Sequence, residues 1–139
     1  MRRTPPVHKG WFEDCPEAVN LLHEVNTLRE SQDLPAFIPE PALTRAAMNH
    51  AGDMVSRDYF DTISPDGTRF DQRIYQSGYQ RYAKGEILSN SSNAEIAVML
   101  WQQSRGHADV ILAPDANFAG VGCAKKDNGN FNWVLVTGK

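Results

Sequence analysis

The stretch "FAGVGCAKKDNGNFNWVLVTGK", residues 118–139, decides the architecture. It holds two strand-like runs, "FAGVGCAKK" and "NFNWVLVTGK", joined by "DNGN". Asn-Gly tolerates the positive φ angles of a tight hairpin, so the runs are expected to pair antiparallel. Upstream of this hairpin the apolar residues follow a helical period instead. Ala18, Leu21, Leu22, Val25 and Leu28 mark a first helix beginning at Pro16, with Asp14 and Glu17 spaced for a capping box. Residues 1–15, with Pro5-Pro6, read as an extended leader, and 16–139 as the domain. Three prolines in "SQDLPAFIPEP" enforce a loop.

A second helix starts near Pro41, with a stripe of Leu43, Ala46, Ala47, His50, Ala51, Met54 and Val55. His50 lies on that stripe and reads as a hydrogen-bonded core residue. "SPDGTRF" is a turn, because proline presets one dihedral and Asp-Gly accommodates another. A short helix, "DQRIYQSG", follows, and "YQRYAKGEILSNSS" reads as loop plus a short strand. Ser92 and Glu95 form a capping box for a helix with the stripe Ala97, Leu100, Trp101 and Ser104, which breaks at Arg105-Gly106. Helices before strands imply an α+β fold with helices packed on an antiparallel sheet.

The totals narrow the partners. A chain of 139 residues with net charge −3 has no basic excess to neutralise phosphates, which argues against nucleic acid or an anionic membrane surface. No apolar run reaches the roughly 18 residues of a membrane helix, and no apolar segment of a signal peptide follows Arg2-Arg3. Cys15 and Cys123 stand near opposite ends of the sequence. They are either two buried thiols or a disulfide, the latter worth about 4–5 kcal/mol in a long loop and expected in an exported protein.

Four segments in fixed order, "YFDTISPDG", "KGEIL", "WQQSRGHADVIL" and the closing "FAGVGCA…FNWVLVTG", resemble the CAP superfamily, or SCP domain, in its compact bacterial form. "ALTRAAMNHAGDM" is similar to the family's Ala-rich helix with an internal histidine. The resemblance spans residues 17 to 138. It implies a three-layer α-β-α sandwich with a central antiparallel sheet, an extracellular or cell-envelope location, and a shallow cleft of histidines and acidic residues. Glu86 matches the glutamate of the family's Gly-Glu-Asn motif, and His107 the histidine of Gly-His. The family's first cleft histidine aligns with Thr62, the asparagine after the glutamate with Ile87, and a second glutamate of animal members with Ser104. Ala108 and Val110 replace an Arg and an Asn after the Gly-His histidine.

The implied binding cleft is therefore Thr62, Glu86, Ser104 and His107. A zinc site needs three or four ligands. Glu86 and His107 alone imply weak or lost affinity, with Asp61 a neighbouring substitute, and no cofactor is required. The expected function is non-catalytic binding of a small ligand, a lipid or a protein partner. The alternative is an esterase- or peptidase-type hydrolase, with His107 as base, Glu86 orienting it, and Thr62, Ser64 or Ser104 as nucleophile. A third reading joins Glu86 and His107 in a structural hydrogen bond within a module that has no site. Trp101 and Trp133 read as core, whereas Tyr75, Tyr79 and Tyr82 read as surface contacts.

Overall fold

The computed structural model describes residues 8–139. Its elements run α1 (Ala18–Ser31), β1 (Ile38–Pro39), α2 (Pro41–Ser56), α3 (Phe70–Gln76), β2 (Ala83–Ser91), α4 (Ala94–Gln102), α5 (Arg105–Ile111), β3 (Phe118–Lys125) and β4 (Phe131–Gly138). Sheet order is β1-β3-β4-β2. The β3–β4 hairpin forms as read, with Gly129 at φ 89° in its turn, and β2 pairs antiparallel with β4 on the other side. The sheet is nevertheless mixed, because Ile38 and Pro39 pair parallel with Phe118 and Ala119. Pro39 donates no ladder hydrogen bond, so this short strand belongs at an edge.

The three layers are present. Leu43, Ala47 and Met54 of α2 and Ile74 of α3 pack with Val134 and Val136 on one face of the sheet. Leu21, Val25, Trp101 and Ile111 pack with Ile87, Val121, Trp133 and Leu135 on the other. The approach of α2 to β3 is close enough to exclude side chains. A Cβ on Gly120 would lie 2.1 Å from the Leu43 carbonyl carbon, and one on Gly122 would lie 2.5 Å from that of Ala47. The Gly-Val-Gly strand is thus the seat of α2.

Several local expectations change. Lys9–Phe12 form one 3-10 turn, and Phe12 and Cys15 are buried, so the leader is not extended up to residue 15. Its first seven residues, Pro5-Pro6 included, lie outside the described residues. Glu17 is the N-cap of α1 but makes no side-chain capping bond, so the Asp14–Glu17 box does not form. Asn93 rather than Ser92 caps α4, accepting from the Ile96 amide at 2.8 Å. The chain does not leave helix at Arg105-Gly106. It bends at Ser104, whose extended backbone (φ −115°, ψ 121°) caps α5 and takes that residue off the α4 stripe. The segment read as a short strand is the nine-residue β2.

Trp101 and Trp133 are core residues that donate to the Leu88 and Ser91 carbonyls. Tyr75 and Tyr82 are exposed, but Tyr79 is 5% exposed and donates to the Lys139 carbonyl, so it is not a surface contact. Cys15 and Cys123 form a disulfide, with Cα atoms 5.7 Å apart. It ties the segment before α1 to β3.

Candidate cleft between α2, α3 and β2

Alternation along β2 decides which layer each side chain meets. A Cβ on Gly85 would touch Val110 of α5 at 3.3 Å, so that face looks toward α5. Glu86, the next residue, therefore points to the α2 and α3 side. Its side chain is 1% exposed. Thr62 donates to Glu86 Oε1 at 2.6 Å, and Arg73 Nη2 donates to Oε1 and Oε2 at 2.9 and 3.1 Å.

Arg73 reaches this point because it shares the inward side of α3 with Ile74. The loop before α3 supplies the rest of its partners. Arg73 Nη2 donates to the Thr62 carbonyl at 2.7 Å, and Nη1 to Ser64 Oγ and the Thr68 carbonyl, each at 3.1 Å. That loop is set by the "SPDG" turn, in which Gly67, at φ 86°, donates to the Ser64 carbonyl at 2.8 Å. Arg73 Nε is the one buried side-chain polar atom without a hydrogen-bond partner among the described residues.

His50 of α2 closes the cluster from the helix side. Its Nε2 donates to the Asp61 carbonyl at 2.9 Å and lies 3.8 Å from Glu86 Oε1. A carbonyl partner fixes the proton on Nε2 and leaves Nδ1 as an acceptor. The Tyr59 hydroxyl lies 3.4 Å from that Nδ1 and 3.4 Å from Ser64 Oγ, and donates to the Asp53 carboxylate. Burial, reinforced by the Arg73 charge, lowers the His50 imidazole to about 4, so it is neutral at physiological pH. Burial pushes the Glu86 carboxyl up from its ordinary range, while the Thr62 hydroxyl and Arg73 guanidinium pull it back.

Outside this cluster a polar groove of about 260 Å³ runs between α2 and α3. Its lining includes Asn49, His50, Asp53, Ser64, Arg73 and Gln76. Asn49 and Gln76 are exposed, and their side chains make no hydrogen bond among the described residues, so their amides are open to solvent.

The sequence-predicted residues divide. Thr62 and Glu86 meet directly. His107 lies in α5, and no hydrogen bond or ion pair joins it to Glu86 among the described residues. Neither His107 nor Ser104 lines the groove. Asp61 turns its carboxylate to the Ile63 amide at 2.9 Å and offers the cluster only its backbone carbonyl. No Ser or Thr hydroxyl is hydrogen-bonded to a histidine among the described residues. Sequence reading missed Arg73. The signal was present: Phe70, Arg73, Ile74 and Ser77 fall at helical stripe spacing, which puts a charge on a buried face.

The donor set does not fit a divalent metal. One guanidinium occupies both Glu86 oxygens, and the nearest imidazole nitrogen carries a proton engaged by a carbonyl. The sole described cluster of three potential donors, Cys15, Glu17 and Cys123, contains the disulfide sulfurs.

The sequence profile of the cysteine-rich secretory protein family, CAP, matches residues 22–137. The chain belongs to the CAP family. It is 31% identical over 103 residues to YkwD of Bacillus subtilis (strain 168), an alignment covering 70% of this chain and 38% of that protein. The chain thus spans well under half the length of this curated relative.

Among solved CAP-like structures, an outer surface protein from Borrelia burgdorferi superposes with a TM-score of 0.81 at 21% identity, covering 91% of this chain and 95% of that one. An extracellular SCP-domain protein from Bacillus anthracis superposes with a TM-score of 0.74 at 18% identity, covering 95% and 44%. At these identities the likeness establishes the CAP fold and leaves the chemistry to the residues described above.

Proposed function

We propose that this chain is a non-catalytic binding domain of an exported CAP-family protein, and that the α2–α3 groove receives a small polar ligand or a polar segment of a protein partner. The observation that carries this reading is the contrast between paired and unpaired residues along the groove. Glu86 and Thr62 are paired with each other and with Arg73 Nη2, whereas the amides of Asn49 and Gln76 have no partner among the described residues. An amide offers both donors and an acceptor, which suits neutral hydroxyl, amide or peptide groups. A lipid would want a mostly apolar pocket, and this groove is lined by polar and charged side chains. Export is supported by the disulfide, since such bonds persist in oxidising compartments, and by the outer-surface and extracellular descriptions of the structural relatives. No described helix is long and apolar enough to cross a membrane.

Thermal-shift and calorimetric measurements with neutral sugars, amino acids and short peptides test the proposal. One of these classes should stabilise the wild type and fail to stabilise Asn49→Ala/Gln76→Ala, with no turnover of generic ester or peptide substrates. Turnover that disappears in His107→Ala would replace this reading with the hydrolase.

A further inference from the structure

The way Arg73 is held bears on what cation the cleft uses. Its guanidinium is oriented by three acceptors from the loop that precedes α3: the Thr62 and Thr68 carbonyls and Ser64 Oγ. These fix the group independently of Glu86, which then takes one nitrogen across both of its oxygens. The pair is largely buried, with side-chain exposures of 12% for Arg73, which reaches the groove, and 1% for Glu86. Behind it, the His50 ring presents Nε2 at 3.8 Å from the same carboxylate. A carboxylate and an imidazole at this separation are the kind of groups that a transition metal gathers, yet the positive charge against them is supplied by the chain itself. A lysine could not do the same, because a single ammonium lacks the planar fork that serves carbonyls and carboxylate together.

We propose that Arg73 is the resident cation of this CAP cleft: its guanidinium takes the place a divalent metal would occupy against Glu86. The domain is therefore metal-independent, and removing the guanidinium frees both Glu86 oxygens, so that with the His50 proton moved to Nδ1 a divalent ion can be held by Glu86, His50 Nε2 and water. This assignment holds whatever the outer groove binds.

Zinc is the probe. Chelator-treated wild type should give no binding heat with zinc, and its melting temperature should be the same in zinc and in chelator. Arg73→Met should melt below the wild type in chelator and regain several degrees in zinc, with one zinc per chain by native mass spectrometry. Adding Glu86→Gln or His50→Gln to that variant should abolish the gain. If Arg73→Met folds in zinc and not in chelator, the proposal is equally supported. Zinc bound by the wild type and lost in Glu86→Gln overturns it. So does an Arg73→Met protein that ignores zinc, or one that fails to fold with or without the metal.

Discussion

The hydroxyl of Thr62 donates to Glu86 Oε1 at 2.6 Å, at the position that the CAP resemblance aligns with a histidine. A threonine brings one proton and no charge to that carboxylate. The missing charge comes from Arg73, whose Nη2 spans both oxygens at 2.9 and 3.1 Å. The departure at residue 62 and the position of the α3 arginine are two halves of one arrangement. Under the resident-cation proposal, the cleft balances its own charge without a metal.

Thr62→Val should therefore destabilise the domain by about 1.5–3 kcal/mol, the usual net worth of a hydrogen bond to a charged group. Thr62→Ser keeps the donor and should stay close to the wild type. Urea denaturation of the two variants checks this. Equal losses in both would mean that the methyl group, and not the hydroxyl, is what the site uses.

The neutral His50 gives stability a pH dependence with a definite sign. Its imidazole is held at about 4 in the folded protein, against an ordinary 6.5. Between those values the unfolded chain binds the extra proton, so stability rises with pH across the window. The contribution is fully present above about 6.5 and is lost as pH falls toward 4, amounting to roughly 3 kcal/mol over the whole range. Arg73 adds to the depression, while the Asp61 carbonyl and the Asp53 and Asp61 charges work against it. Denaturation curves at several pH values should show a shallower rise for His50→Gln than for the wild type. Parallel curves would refute the assignment.

How much of this was legible in the sequence depended on whether the signal was local. Asn-Gly between two apolar runs announces a hairpin, and Leu43, Ala47 and Met54 announce a helix, because turn chemistry and periodicity act over a few residues. The family resemblance placed Glu86 and Thr62 in one cleft, and their side chains hydrogen-bond. It also placed His107 there, and motif order does not say which face of β2 a residue takes. One position of alternation separates Gly85, which looks toward α5, from Glu86, which looks toward His50 and Arg73. Arg73 was readable only as a charge out of place on a short apolar stripe. His50 was correctly read as buried and hydrogen-bonded, yet its proximity to Glu86 is a tertiary contact across 36 positions that no local spacing reports. β1 was hidden by prolines that suit only an edge strand.

The disulfide closes a separation of 108 positions, so its constraint on the unfolded chain is large. Cys15→Ser/Cys123→Ser should lose about 4–5 kcal/mol of stability on the chain-entropy estimate. A thiol reductant should lower the melting temperature of the wild type toward that of the double variant and leave the variant unchanged. A wild type whose melting temperature ignores complete reduction would show that the link contributes nothing.

The most direct test of the central claim is a double-mutant cycle on Arg73→Met and Glu86→Gln, read as unfolding free energies. A buried pair broken from one side leaves an uncompensated charge, so each single change should cost about 3–5 kcal/mol, and removing both charges should cost far less than the sum. The account predicts a coupling above about 2 kcal/mol. Additive losses, within about 0.5 kcal/mol, would contradict it and return Glu86 to the set of groups open to metal or substrate.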